Sequence, residues 1–136
     1  MKITSISLIV LSIGLGIPAA HAADTLDCNN AMTQGDMNEC AYRDLKHEDQ
    51  ALNAAYNAYR ARLSAKQKEQ LKTVQLAWIK YRDLACDYDS SGVEGGSVRP
   101  MIYAQCITRR THQRLEEIKA LADCKDGDLS CPTPGE

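Results

Sequence analysis

Six cysteines in a 136-residue chain constrain the possible fold more than any other feature of this sequence. Short exported chains use even sets of cysteines as disulfides, because their compartment is oxidising and their cores are small. The N-terminus agrees with export. "MKITSISLIVLSIGLGIPAAHA" carries one basic residue, Lys2, then an apolar run from Ile6 to Ile17, and ends in Ala20-His21-Ala22, which fits an A-x-A cleavage site. This pattern predicts a secretory signal peptide over 1–22. The apolar run is too short for a spanning helix. No cysteine stands at the cleavage point to carry a lipid, so the mature form is expected without a membrane anchor. The expected location is a bacterial periplasm, with full secretion as the alternative.

Past the signal, the pattern is helical. Met37, Ala41, Leu45, Leu52, Ala55, Tyr56, Tyr59 and Leu63 step by threes and fours and predict a helix over 34–63, with Thr33 as its cap and Asp36 in its first turn. Ser64 and Gln67 form an S-x-x-Q capping box, so the chain stops and restarts within a few residues. A second helix follows over 65–88, with Leu71, Val74, Trp78, Tyr81 and Ala85 as its apolar row. A joint this short makes the first two helices antiparallel neighbours. Gly92, Gly95 and Gly96 break the pattern, Ser97 is placed to cap a third helix, and Pro100 falls in its first turn. Tyr103, Ile107, Thr111, Leu115, Ile118 and Leu121 then face inward, and the helix ends near Ala122. The expected fold is all-α: an antiparallel three-helix bundle over 23–123, stapled by disulfides, with an irregular, disulfide-looped tail over 124–136.

Topology narrows the fifteen pairings that six cysteines allow. An up-down-up bundle gathers Cys28, Cys40, Cys86 and Cys106 at one end. Cys124 and Cys131, at or beyond the other end, can pair only with each other. Cys28–Cys40 and Cys86–Cys106 are the favoured remaining bridges, with a cross-pairing such as Cys40–Cys86 still open. Zinc would call for close C-x-x-C pairs with histidines nearby, which the spacing does not offer.

Little in the sequence points to catalysis. His47 and His112 lie on helices away from any nucleophile pattern, and "EGGS" lacks the strand and lysine of a phosphate loop. "DYDSSG" places Asp87, Asp89, Ser91 and Gly92 at calcium-loop positions 1, 3, 5 and 6, but Val98 occupies position 12, where a bidentate glutamate is required. In "AWIKYRD", Arg82 can lie over the Trp78 indole one turn away. A net charge of −2 offers no basic stripe for nucleic acid or anionic membrane. The expectation is a non-enzyme with no cofactor and no metal. The loop "SSGVEGGSVR" is the candidate partner-binding element, through Ser90, Ser91, Ser97 and Arg99.

"TQGDMNECA", "ALNAAYNAY", "QLAWIKYRDLAC" and "EGGSVRPMIYAQC" together resemble the LprI-like lysozyme-inhibitor N-terminal domain family, formerly a domain of unknown function. The similarity covers 28–121, with four motifs in order. It implies an exported, disulfide-bonded helical domain whose protein partner is a lysozyme or another peptidoglycan hydrolase. A rigid loop filling the enzyme's cleft is the expected mode of inhibition, with a structural or interaction protein of the envelope as the alternative. The family's namesake type is lipid-anchored, whereas this chain, with no lipobox cysteine, is expected to be without such an anchor, and the Cys124–Cys131 tail lies outside the shared core.

Overall fold

The computed structural model describes residues 26–125, 127–129 and 131–132, so the expected signal peptide lies outside the described residues. A 3-10 turn, Cys28–Asn30, leads into three helices: α1, Gln34–Ala61; α2, Ala65–Asp89; and α3, Arg99–Ala122. Among the described residues there is no strand, and no helix is long and apolar enough to cross a membrane.

Local sequence sets the helix boundaries. Thr33, in extended geometry, accepts from the Asp36 amide at 3.1 Å, while the Asp36 carboxylate accepts from the Thr33 amide at 3.4 Å. Ser64 and Gln67 close the second box, with Gln67 Oε1 accepting from the Ser64 amide at 3.1 Å. Each box satisfies amides that a bare helix start leaves open. The start of α3 differs from expectation. Val98 occupies its N-cap position with no side-chain bond, and Arg99 and Pro100 open the helix, so Ser97 is not the cap.

α1 and α3 run parallel, and α2 runs antiparallel to α3. At one end Asn38 Nδ2 donates to the Ser97 carbonyl at 3.0 Å, and at the other Arg62 Nη1 donates to the Ala122 carbonyl at 2.8 Å. Along α2 the order reverses, with Arg110 meeting Asp89 and Arg114 meeting Gln75. The most intimate pair is α1 with α3, not the sequence neighbours α1 and α2. Small residues such as Ala41 and Ala104 let α1 and α3 approach. The inward row of α2 is Leu71, Gln75, Trp78, Arg82 and Cys86, whose long polar members hold that helix further off. The predicted α2 row is therefore rotated: Val74 and Tyr81 are mostly exposed.

Two apolar clusters result. The larger, at the α1–α2 joint end, holds Leu52, Tyr59, Leu63, Leu71, Leu115 and Ile118. The smaller holds Cys86, Cys106 and Ile107, with Leu45 and Tyr103 against them. Between them lies a polar stratum. Trp78 sits beneath two guanidiniums, with Arg82 Cζ 5.0 Å and Arg114 Cζ 5.9 Å from its ring centroid. Arg82 also reaches the Thr111 hydroxyl at 3.2 Å and the Asp49 carboxylate at 3.7 Å. Burying a charge costs stability unless it is paired and hydrogen-bonded, and these contacts supply that compensation.

The rotated α2 face yields a direct test by urea unfolding of the oxidised protein. Ile118→Ala should lower stability by about 3 kcal/mol, since it opens a hole in a closed cluster. Val74→Ala should change it by no more than about 0.5 kcal/mol. Comparable losses at the two positions would contradict the placement of α2.

Candidate functional site

The segment between α2 and α3 is short, stapled and fully turned. The Cys86–Cys106 disulfide joins the last turns of α2 to the first turns of α3, and both cysteines are buried. Cys28–Cys40 and Cys124–Cys131 complete the set, with no free cysteine among the described residues. Cys28–Cys40 ties the N-terminal strap to α1. Cys124–Cys131 closes a small loop at the far end, where Gly127 takes φ 85°, a left-handed conformation suited to glycine.

Successive backbone bonds run through the α2–α3 segment. Ser90 begins a 3-10 turn over Ser91–Val93, Glu94 N donates to Ser91 O at 3.1 Å, Gly96 N to Val93 O at 3.0 Å, and Arg99 N to Gly96 O at 3.1 Å. Gly95 takes φ 76°, and a Cβ at Gly96 would stand 3.1 Å from the Val93 carbonyl oxygen. Position 95 therefore favours glycine, and a side chain at position 96 needs the Val93 carbonyl to give by a few tenths of an ångström. The Asn38–Ser97 bond anchors the loop sideways to α1.

The candidate loop residues divide by role. Ser90 is fully buried, and its hydroxyl donates to the Cys86 carbonyl at 2.8 Å. Its place is inside the loop, so as a presented hydroxyl it is corrected to an internal tie. Ser91 and Ser97 are exposed. Arg99 is half-buried, with Nη2 3.2 Å from Asp87 Oδ1 and a buried Nε that lacks an acceptor among the described residues. Asp89 is held in turn by Arg110 Nη2 at 3.1 Å. Asp87 and Asp89, the first carboxylates of the calcium-like pattern, thus face arginines.

The surrounding electrostatics are those of a braced surface. The hydrogen bond from Arg110 to Asp89 raises the Arg110 pKa, and the guanidinium also lies 5.5 Å over the Tyr81 ring. Burial first, then the negative charge of Asp83 and Asp87, raises the Tyr103 phenol above its ordinary value, so it remains protonated. His47 is exposed, and His112 Nδ1 lies 2.8 Å from Glu48 Oε1 on the flank of the bundle. Among the described residues neither histidine is hydrogen-bonded to a serine.

Sequence reasoning missed Asn38 and Arg110, which brace the loop from α1 and α3. The signal available was closeness to a cysteine, Asn38 two residues before Cys40 and Arg110 one turn after Cys106. It also missed Tyr88, which is 80% exposed at the loop's entrance. Removing the inner tie tests the geometry: Ser90→Ala should cost about 1 kcal/mol and speed amide exchange in 91–96, measured by NMR. Unchanged exchange would show that Ser90 does not hold the loop.

The comparisons with known proteins fit this architecture. A family model described as Lysozyme inhibitor LprI matches residues 27–118. An uncharacterized protein of Rhizobium meliloti (strain 1021) is 34% identical over 119 residues, covering 78% of this chain and 86% of the relative. The crystal structure of a DUF1311 family protein from Pseudomonas putida KT2440 is similar in fold, with a TM-score of 0.63 at 20% identity, covering 71% of this chain and 100% of that one. The matched region contains all three helices up to Ile118, together with the two bridges at the loop end and the loop itself, so the chain belongs to the LprI lysozyme-inhibitor family.

Proposed function

We propose that this chain is an exported, non-catalytic protein of the periplasm that inhibits a lysozyme-type peptidoglycan hydrolase by presenting its stapled 91–99 surface to the enzyme's cleft. Family membership over residues 27–118 carries this reading. The three disulfides support an oxidising compartment.

Lysozymes cleave with two carboxylates set in a cleft. Arg99 offers the complementary charge. Its one ion pair among the described residues, to Asp87, leaves donors for a second carboxylate, which would form charge-assisted bonds. The exposed hydroxyls of Ser91 and Ser97 suit a sugar-binding cleft rich in polar groups. Ser90 acts from within, since a loop already fixed in shape loses little entropy on binding. Glu94, exposed on the same loop, opposes an acidic cleft.

One observation favours a second reading, an interaction protein of the envelope with no enzyme target. The outer face of α2 exposes Tyr81, Leu84 and Tyr88, spaced by three and four so that they form one stripe. Under that reading lysozyme turnover is unaffected by the protein.

Inhibition assays on lysozymes separate the two. Arg99→Ala should weaken inhibition at least tenfold, about 1.4 kcal/mol, with helix content retained. Glu94→Gln should strengthen it by about threefold, as expected for removing a repulsive charge at a partly solvated rim. Inhibition indifferent to Arg99 would eliminate the loop mechanism.

A further inference from the structure

At the end of the bundle opposite the loop, a cleft of about 260 Å³ opens between the three helices. Tyr59, Leu63, Leu71, Val74 and Leu121 make its wall apolar, and Pro132 of the disulfide-looped tail closes one edge. Arg114 also lines it, although the residue is only 8% exposed. A buried guanidinium in an apolar cleft needs a reason.

The hydrogen bonds of Arg114 are incomplete. Nε donates to Gln75 Oε1 at 3.0 Å, and Nη1 donates to Glu117 Oε2 at 2.7 Å. Nη2 is buried and has no acceptor among the described residues. Buried donors are nearly always paired in folded proteins, so an orphan on a cation beside a cavity marks a place for an acceptor that arrives from outside. Glu117, largely exposed, engages only Nη1. Guanidinium donors form charge-assisted bonds to carboxylate and phosphate oxygens, and the smaller, singly charged carboxylate suits an apolar cleft of this size. Gln70, at the rim of the same cleft, can donate its side-chain amide to the second oxygen.

We propose that this cleft is a binding site for a small amphipathic carboxylate, with its apolar body between Leu63, Leu71, Val74 and Leu121 and its head on Arg114 Nη2. The volume lies just below the range of drug-sized sites, which suits an acyl chain on the order of eight to ten carbons. The site is separate from the loop and does not depend on the lysozyme reading.

Trp78, the sole tryptophan, packs on the same cluster and beneath Arg114, so its fluorescence reports occupancy. Titration of the oxidised protein with decanoate should give a saturable change with a dissociation constant on the order of 10–100 μM. Decanol should bind at least tenfold more weakly, and decyltrimethylammonium should not bind. Val74→Phe, at a mostly exposed position, should fill the mouth and lower decanoate affinity at least tenfold with the melting temperature retained. Arg114→Lys should narrow the preference of decanoate over decanol. The proposal is overturned by the absence of saturable binding, by equal affinity for decanoate and decanol, or by Val74→Phe binding as the wild type does.

Discussion

The buried Cys86–Cys106 bridge is the constraint on which the rest of this structure depends. It ties the end of α2 to the start of α3 and so fixes the span that the intervening loop must cover. A bridge closing a loop of this length contributes roughly 3 kcal/mol, a large share of the stability a small domain possesses. Its second effect is on shape. With both ends fixed, residues 90–98 can satisfy their backbone only through consecutive tight turns, and the glycines at 95 and 96 make those turns possible. Arg99–Asp87, Arg110–Asp89 and Asn38–Ser97 then brace the loop from three directions.

The interior follows a different logic. With no phenylalanine and one tryptophan, the chain builds its core from leucine, isoleucine, tyrosine and alanine, and gives over its middle to charge. Arg82 and Arg114 flank Trp78, and each is hydrogen-bonded to a polar side chain of another helix. Such a stratum adds little net stability, because desolvation offsets most of the attraction. It does fix register: Arg82 meets Thr111 and Arg114 meets Gln75 only when α2 and α3 are aligned as observed. The same stratum leaves the orphan donor beside the joint-end cleft.

Much of this was legible in the sequence, for reasons that differ by element. The Ser64–Gln67 box was readable because it depends on two residues and no tertiary contact. The row on α3 was readable because Ile107, Thr111, Leu115 and Ile118 keep a helical period and are all buried. Placing the helix ends isolated the Cys124–Cys131 pair and favoured Cys28–Cys40 and Cys86–Cys106 without excluding a cross-pairing, which the observed bridges decide. The face of α2 was misread because its inward row includes Gln75 and Arg82, so apolar spacing pointed to exposed Val74 and Tyr81 instead. Ser90 was counted among the partner-binding residues because it opens the Ser- and Gly-rich loop, and only the structure shows its hydroxyl turned back onto Cys86. The cleft at Arg114 was illegible because it needs all three helices and the tail to exist.

Rigidity conferred by oxidised sulfur is the central claim, and lysozyme turnover in the presence of the native, oxidised protein and of the same protein after full reduction tests it most directly. The account predicts inhibition by the oxidised form that is lost when Cys86 and Cys106 are reduced. Equal inhibition by both forms would contradict it.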